Sequence, residues 1–199
     1  MKYIIKNIND YSDNEIDNFY SNIYIEKKKR INNFKNKLKT RQSVIGELLL
    51  SNLLDKYYNI DYNELEFEFN KNNKPFIVNK NIFYNISHSS NYVIAVVSDK
   101  EIGIDIEKIR ETNIKSINCF ASNKEKEYIL LEDNNLFKRL FEIYTLKEAY
   151  IKMMGKSIFD IKNVEFTISN NHIYCSDINV KCYSFMYDNY VISICEKNC

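Results

Sequence analysis

The segment Ile102-Gly103-Ile104-Asp105-Ile106-Glu107 places an aliphatic residue at every second position, the period of a β-strand that packs one face on a core. Gly103, Asp105 and Glu107 then share the opposite face. At about 3.3 Å rise per residue, carboxylates two positions apart leave the strand roughly 7 Å apart and project the same way. Beside a glycine that lets a group approach the backbone, such a pair suits a hard divalent cation such as Mg2+, which takes oxygen donors. A half-exposed strand with an acidic outer face reads the same way. A second segment, Tyr144-Thr145-Leu146-Lys147-Glu148-Ala149-Tyr150-Ile151-Lys152-Met153-Met154-Gly155-Lys156, reads as the end of a helix, with basic residues gathered before a glycine stop. Tyr144, Glu148 and Lys152 fall on one stripe, and Leu146, Ala149, Tyr150 and Met153 face a core. Alone, this is also an ordinary exposed Glu–Lys pair worth about 0.2–0.5 kcal/mol.

The elements that must hold these side chains follow from the hydrophobic pattern. A strand near Tyr3–Ile8 leads into helical segments around Asn14–Phe34 and Arg41–Tyr57, then strands at Leu65–Phe69, Ile82–Ile86 and Tyr92–Ser98. The second half opens on the Ile102–Ile106 strand and continues through helices near Ser122–Glu132 and Phe137–Met154. It closes with strands near Val164–Ser169, Lys181–Met186 and Tyr190–Cys195. Strand, helices and meander therefore occur twice, with the junction at Ser98–Glu101. No low-complexity linker separates the halves, so two directly packed lobes are expected, with a site between them.

The two chemical segments together resemble the phosphopantetheinyl transferases. That family carries a G-[IV]-D-[IV]-E strand, followed about forty residues later by W-x-x-K-E-[AS]-x-x-K. Here Tyr144 stands for the tryptophan. Tyr84-Asn85-Ile86-Ser87-His88-Ser89-Ser90 resembles the family's F-N-[IL]-S-H-S-G, and Asn73-Lys74-Pro75-Phe76 its G-K-P-x. Gln42-Ser43-Val44-Ile45-Gly46-Glu47-Leu48-Leu49 resembles the helix that opens its coenzyme A site. At 199 residues the chain matches the longer, two-lobed Sfp type. The resemblance implies an α+β fold of two similar lobes related by a pseudo-twofold axis, each an antiparallel sheet packed with helices. Residues 1–99 would form the first lobe, and 100–199 the second, which carries the metal site.

The activity so implied is transfer of the 4'-phosphopantetheine arm of coenzyme A to a serine of an apo acyl or peptidyl carrier protein, with release of adenosine 3',5'-bisphosphate. Such a reaction calls for a cation on the pyrophosphate, positive side chains around it and an acceptor for the serine proton. By resemblance, Asp105, Glu107 and Glu148 are the Mg2+ ligands and Lys152 meets the pyrophosphate, while Lys147 helps position the acids. Glu125 is the candidate general base, with a metal-bound water or a register shift to Glu127 as alternatives; the plainer reading of Glu125 is a capped, solvent-facing acid. Lys27, Arg30, Ser43, Lys74, Ser87 and His88 are the candidate coenzyme A contacts. Gln42 stands where the family often has arginine, so either the adjacent Arg41 substitutes or the hold on the 3'-phosphate weakens.

Composition agrees with a globular protein: 45% hydrophobic, 28% charged, net charge +1. That balance offers no global attraction for nucleic acid or anionic membrane, so phosphate-binding charge must be local. The basic run Lys27-Lys28-Lys29-Arg30 also fits an ordinary solvated helix face. A nucleic-acid binder using that run and a non-catalytic relative are the rival readings. The opening residues lack the form of a signal peptide, and no run reaches membrane-spanning length, so a cytoplasmic protein is expected. The five cysteines, Cys119, Cys175, Cys182, Cys195 and Cys199, form no C-x-x-C pair and are expected to be buried or incidental thiols. Internal pairing of the lobes predicts a monomer.

Overall fold

The computed structural model describes residues 1–132, 134–170 and 172–198, so Cys199 and the middle of the Asn170-Asn171-His172 turn lie outside the described residues. The chain forms two compact units, Met1–Asp99 and Lys100–Cys199.

The first unit begins with β1 (Lys2–Asn7) and three helices. In α1 (Asp13–Tyr20) the Ser12 hydroxyl accepts from the Glu15 amide while Glu15 reaches back to the Ser12 amide, which satisfies two orphan donors at the helix start. The basic run lies on α2 (Ile25–Asn32). The long α3 (Lys37–Tyr58) is capped by Asn36 and ends at Asn59 in the left-handed conformation. Its Ile45, Leu49, Leu50, Leu53 and Leu54 are fully buried. A short hairpin follows, β2 (Phe67–Phe69) with β3 (Pro75–Ile77), and then β4 (Phe83–Ser89) and β5 (Tyr92–Ser98). The antiparallel sheet runs β1-β5-β4, with α3 laid across it. Val93, Ala95 and Val97 of β5 join the core with α3, as strand alternation requires. Gly46 permits the close approach of α3 to β4, because a Cβ there would lie 2.6 Å from Ile86 Cγ2.

The second unit repeats the plan. It contains β6 (Ile102–Lys108), the short helices α4 (Ile117–Phe120) and α5 (Asn123–Ile129), the long α6 (Leu136–Met154), the hairpin β7 (Phe166–Ser169) with β8 (His172–Cys175), and finally β9 (Val180–Tyr187) and β10 (Tyr190–Lys197). Its antiparallel sheet runs β6-β10-β9, the same order of first, last and penultimate strand. Helix α6 lies against β6 and β10, and a separate core forms around Ile143, Leu146, Ala149 and Met153. The fold is α+β, with antiparallel sheets and helices in both units.

Two readings change here. Gly103 was expected to open the strand to a ligand. A Cβ at Gly103 would instead lie 2.0 Å from the Ala149 carbonyl oxygen and 2.4 Å from the Met153 amide, so it is the backbone of α6 that approaches. The acidic face of β6 therefore faces a helix rather than open solvent. Cys182 and Cys195, expected as separate thiols, sit opposite each other on β9 and β10 and form a disulfide. Direct cross-strand pairing brings their Cα atoms to 4.3 Å.

Candidate active site

The acids and the lysine singled out by spacing meet where β6 faces α6. Asp105 is only 5% exposed, and its Oδ1 accepts from Lys152 Nζ at 2.7 Å. Glu107, nearer the strand end, pairs with Arg110 Nη1 at 3.2 Å. Glu148 lies one helical turn before Lys152, the spacing that puts both on one stripe. Burial pushes the Glu148 carboxyl above its ordinary range, and the Asp105 charge pushes it further. Lys152 and the Tyr144 hydroxyl pull it back, while Glu107 adds to the rise. Tyr144 is itself pushed up, first by burial and then by the charges of Glu148, Asp105 and Glu107. Three carboxylates therefore act on one small region, and Glu148 is the one whose ionisation they oppose. Tyr144 packs edge-on against Phe120, with ring centroids 5.3 Å apart.

The donor set is all oxygen and strongly anionic, which fits a hard dication. The arrangement is closed around protein cations instead, with Lys152 on Asp105 and Arg110 on Glu107. Among the described residues, no three acidic, histidine or cysteine side chains stand as a ready metal cage. Next to Asp105 on β10 is Ser193, whose hydroxyl lies 2.7 Å from that of Thr145 and continues to Ser184, a polar seam beneath α6.

Glu125, the candidate base, lies deep in the second unit. It caps α5 through Ser122, accepts from the Phe166 amide at 2.8 Å and pairs with Lys147 Nζ at 2.9 Å. Both partners of that ion pair have 0% side-chain exposure. Lys147 also donates to the carbonyls of Ile161 and Val164. A carboxylate so enclosed and so paired holds α5, α6 and the start of β7 together. Lys147 turns away from the acids it was expected to position.

In the first unit, a cavity of about 210 Å³ is lined by Arg30, Phe34, Ser43, Pro75, Asn85 and His88, with Lys27 and Glu47 in its wall. Four of the expected coenzyme A contacts thus come together from α2, α3 and β4. Lys27 is 4% exposed and pairs with Glu47 Oε2 at 2.7 Å. Its ammonium also lies 3.5 Å from the centre of the Phe67 ring. Burial lowers its pKa, with Glu47 opposing. The buried ion pair braces α2 against α3 at the wall of the cavity. Arg30 keeps its position at the cavity and donates to the Asn73 carbonyl at 2.9 Å. Pro75 rather than Lys74 contributes to the lining, and Ser87, buried beside His88, lies outside it.

Gln42 donates to the Ser90 carbonyl at 2.7 Å, which ties α3 to the β4–β5 turn. Arg41 is engaged with Asp13 and the carbonyls of Ile8 and Tyr11, so it does not substitute for the missing family arginine. His172 contacts the neighbouring turn carbonyl of Asn170 at 2.9 Å and stands beside the Tyr174 ring, centroids 6.5 Å apart. Glu47 and Tyr62, which donates to Glu47 at 2.8 Å, were missed by sequence reasoning. The one available signal was an acid amid the aliphatic run Leu48-Leu49-Leu50.

Two sheet-and-helix units of like topology, one bearing three acids and a lysine between its first strand and its long helix, define the class. The family model of the 4'-phosphopantetheinyl transferase N-terminal region matches residues 10–100, and that of the 4'-phosphopantetheinyl transferase superfamily matches residues 101–195. A 4'-phosphopantetheinyl transferase, gsp, of Aneurinibacillus migulanus is 38% identical over 154 residues, covering 73% of this chain and 64% of that protein. The 4'-phosphopantetheinyl transferase Sfp of Bacillus subtilis (strain 168) is 29% identical over 149 residues, covering 74% of this chain and 66% of that protein. The chain therefore spans about two thirds of the length of these relatives. Thermotoga maritima holo-[acyl-carrier-protein] synthase superposes with a TM-score of 0.41 at 20% identity, over 49% of this chain and 62% of that one, a likeness too slight to argue from. The chain belongs to the 4'-phosphopantetheinyl transferase family.

Proposed function

We propose that this protein transfers 4'-phosphopantetheine from coenzyme A to the serine hydroxyl of an apo carrier protein. A bond forms between the serine oxygen and the β-phosphorus as the serine proton passes to a general base, Glu125 or the neighbouring Glu127; the pyrophosphate bridge breaks, and adenosine 3',5'-bisphosphate departs. The observation that carries this reading is the meeting of Asp105, Glu107, Glu148 and Lys152 between β6 and α6, residue types suited to a crowded phosphoryl centre. Asp105, Glu107 and Glu148 would hold Mg2+, which when bound supplies neutralisation of the charge gathered by the pyrophosphate. Lys152 places an ammonium at the same centre and binds phosphate oxygens by charge-assisted hydrogen bonds. Arg30, Ser43 and His88 line a cavity suited to the nucleotide end of coenzyme A, with Arg30 the principal cation there. Glu125 and Lys27 support the frame on which these groups stand.

The carrier belongs to fatty-acid, polyketide or nonribosomal-peptide synthesis. A monomer in the cytoplasm, with no nucleic-acid partner, completes the reading. No helix among the described residues is long and apolar enough to cross a membrane.

The test is direct. Incubating the protein with coenzyme A, Mg2+ and several apo carrier proteins should add the mass of one phosphopantetheine arm to at least one carrier. EDTA should stop the gain reversibly. No transfer to carriers of any of the three kinds would sink the enzyme reading, and salt-sensitive retention on DNA in its place would favour the rival one.

A further inference from the structure

An arginine on the outer face of a helix ordinarily spreads its guanidinium over many rotamers, and gathering it onto an anion costs that freedom. Arg30 is such a residue by position, exposed in the last turn of α2. The hairpin of β2 and β3 nonetheless holds its guanidinium on two sides. Nη1 donates to the Asn73 carbonyl at 2.9 Å, and Cζ stands 5.1 Å from the centre of the Phe69 ring. A guanidinium carries five N–H donors, so the bond to Asn73 leaves most of them for a ligand in the cavity that Arg30 lines.

The turn is built to present that carbonyl. The Asn70 side chain accepts from the amides of Asn72 and Lys74, both at 2.9 Å, and the Asn70 amide donates to the Lys74 carbonyl at 3.0 Å. Asn73 takes the left-handed conformation, with φ 61°. Asparagine and glycine adopt that region readily, whereas a β-branched residue does so only under strain. Phe69 ends β2 opposite Pro75, which also lines the cavity. The hairpin therefore fixes where the positive charge stands. That placing matters more in this chain because Gln42, where the family often has arginine, is bonded to the Ser90 carbonyl, and Arg41 to Asp13.

We propose that Phe69 and Asn73 are positioning residues that hold the Arg30 guanidinium ready for the 3'-phosphate of coenzyme A. They thereby set the preference for a 3'-phosphorylated nucleotide. This rests on the reading of the cavity as the seat of the nucleotide end, and names what aims its cation. Each of the two acts through Arg30 rather than on the phosphate itself.

Nucleotide binding, with neither turnover nor carrier protein, tests this. Adenosine 3',5'-bisphosphate and adenosine 5'-monophosphate differ by the 3'-phosphate alone. Both are titrated by isothermal calorimetry into wild type, Arg30→Ala, Phe69→Leu, Asn73→Val and Asn73→Gly. The wild type should favour the bisphosphate, and Arg30→Ala should lose most of that preference. Phe69→Leu and Asn73→Val should each lower it at least about threefold, with affinity for the monophosphate nearly unchanged. Asn73→Gly keeps the carbonyl and the left-handed turn, and should retain the preference. Phe69 and Asn73 stand outside the buried core, so each variant should fold, which circular dichroism checks. A preference lost in Arg30→Ala but intact in Phe69→Leu and Asn73→Val would overturn the positioning role and leave the nucleotide cavity standing. Equal weakening of both nucleotides in those two variants, or loss of their fold, would make the hairpin a plain wall and overturn the role too. A wild type without preference, or a preference undiminished in Arg30→Ala, would overturn the role together with the reading of Arg30 on which it rests.

Discussion

Lys147 and Glu125 show how completely a charge can be withdrawn from solvent. Neither side chain touches solvent, and each is the other's neutralising partner. Burial lowers the Lys147 pKa, and the Glu125 charge is the main force opposing that shift. Breaking one half of a buried pair leaves an uncompensated charge, at a cost of about 3–5 kcal/mol. Glu125→Gln should therefore shift the urea midpoint sharply downward. Adding Lys147→Met should recover much of the loss, because the orphaned ammonium then disappears. A Glu125→Gln protein with a wild-type midpoint and abolished transfer would assign the base role to Glu125. The sequence revealed the acids whose partners are close in the pattern: Asp105 and Glu107 two apart, Glu148 and Lys152 four apart. It did not reveal that Lys27 and Glu125 are paired with Glu47 and Lys147. Those partners lie on other helices, and nothing in local spacing encodes the meeting.

The contact between β6 and α6 depends on a missing side chain. Gly103 lies beneath Ala149 and Met153, where a methyl group would collide with backbone atoms that cannot rotate aside. Gly103→Ala must lift α6 from the sheet, and overpacking of this kind typically costs about 1–3 kcal/mol or more. The thermal midpoint should fall, and Mn2+ affinity in the presence of coenzyme A should fall with it, since α6 carries Glu148 and Lys152. A variant as stable as wild type would show that the helix has slack. The long elements were legible because their periods run far enough to count. Phe137–Met154 corresponds to α6 within a residue, and Tyr92–Ser98 coincides with β5. The strands β3 and β8 went unseen, each the second arm of a short hairpin of which only the first arm was expected. The expected single helical stretch from Asn14 to Phe34 divides into α1 and α2, which the pattern alone did not separate.

At pH 7 the net charge is +1, so global charge repulsion is small there and perturbed groups shape the local dependence on pH. Glu148 is one of them. Its carboxyl binds a proton more tightly in the folded than in the unfolded chain. Its contribution is thus fully present below the ordinary glutamate range, and is lost as pH rises from about 4.5 through the raised folded value. In EDTA, Glu148→Gln should gain on wild type in thermal midpoint as pH rises through that window. A difference that stays flat with pH would mean that the neighbouring acids do not act on Glu148. Both strand orders, β1-β5-β4 and β6-β10-β9, place the first strand of a unit against its last. Lys2 pairs with Val97, and Ile102 with Glu196, so closing either sheet requires the two ends of a unit to meet. Such distant pairing is entropically slow, whereas the β4–β5 and β9–β10 hairpins are local and form early. On the ribosome, β1 must wait for β5 to emerge, yet it need not wait for anything beyond it. The sheet of Met1–Asp99 can therefore close while Lys100–Cys199 is still being made, and the chain is built to fold in two installments.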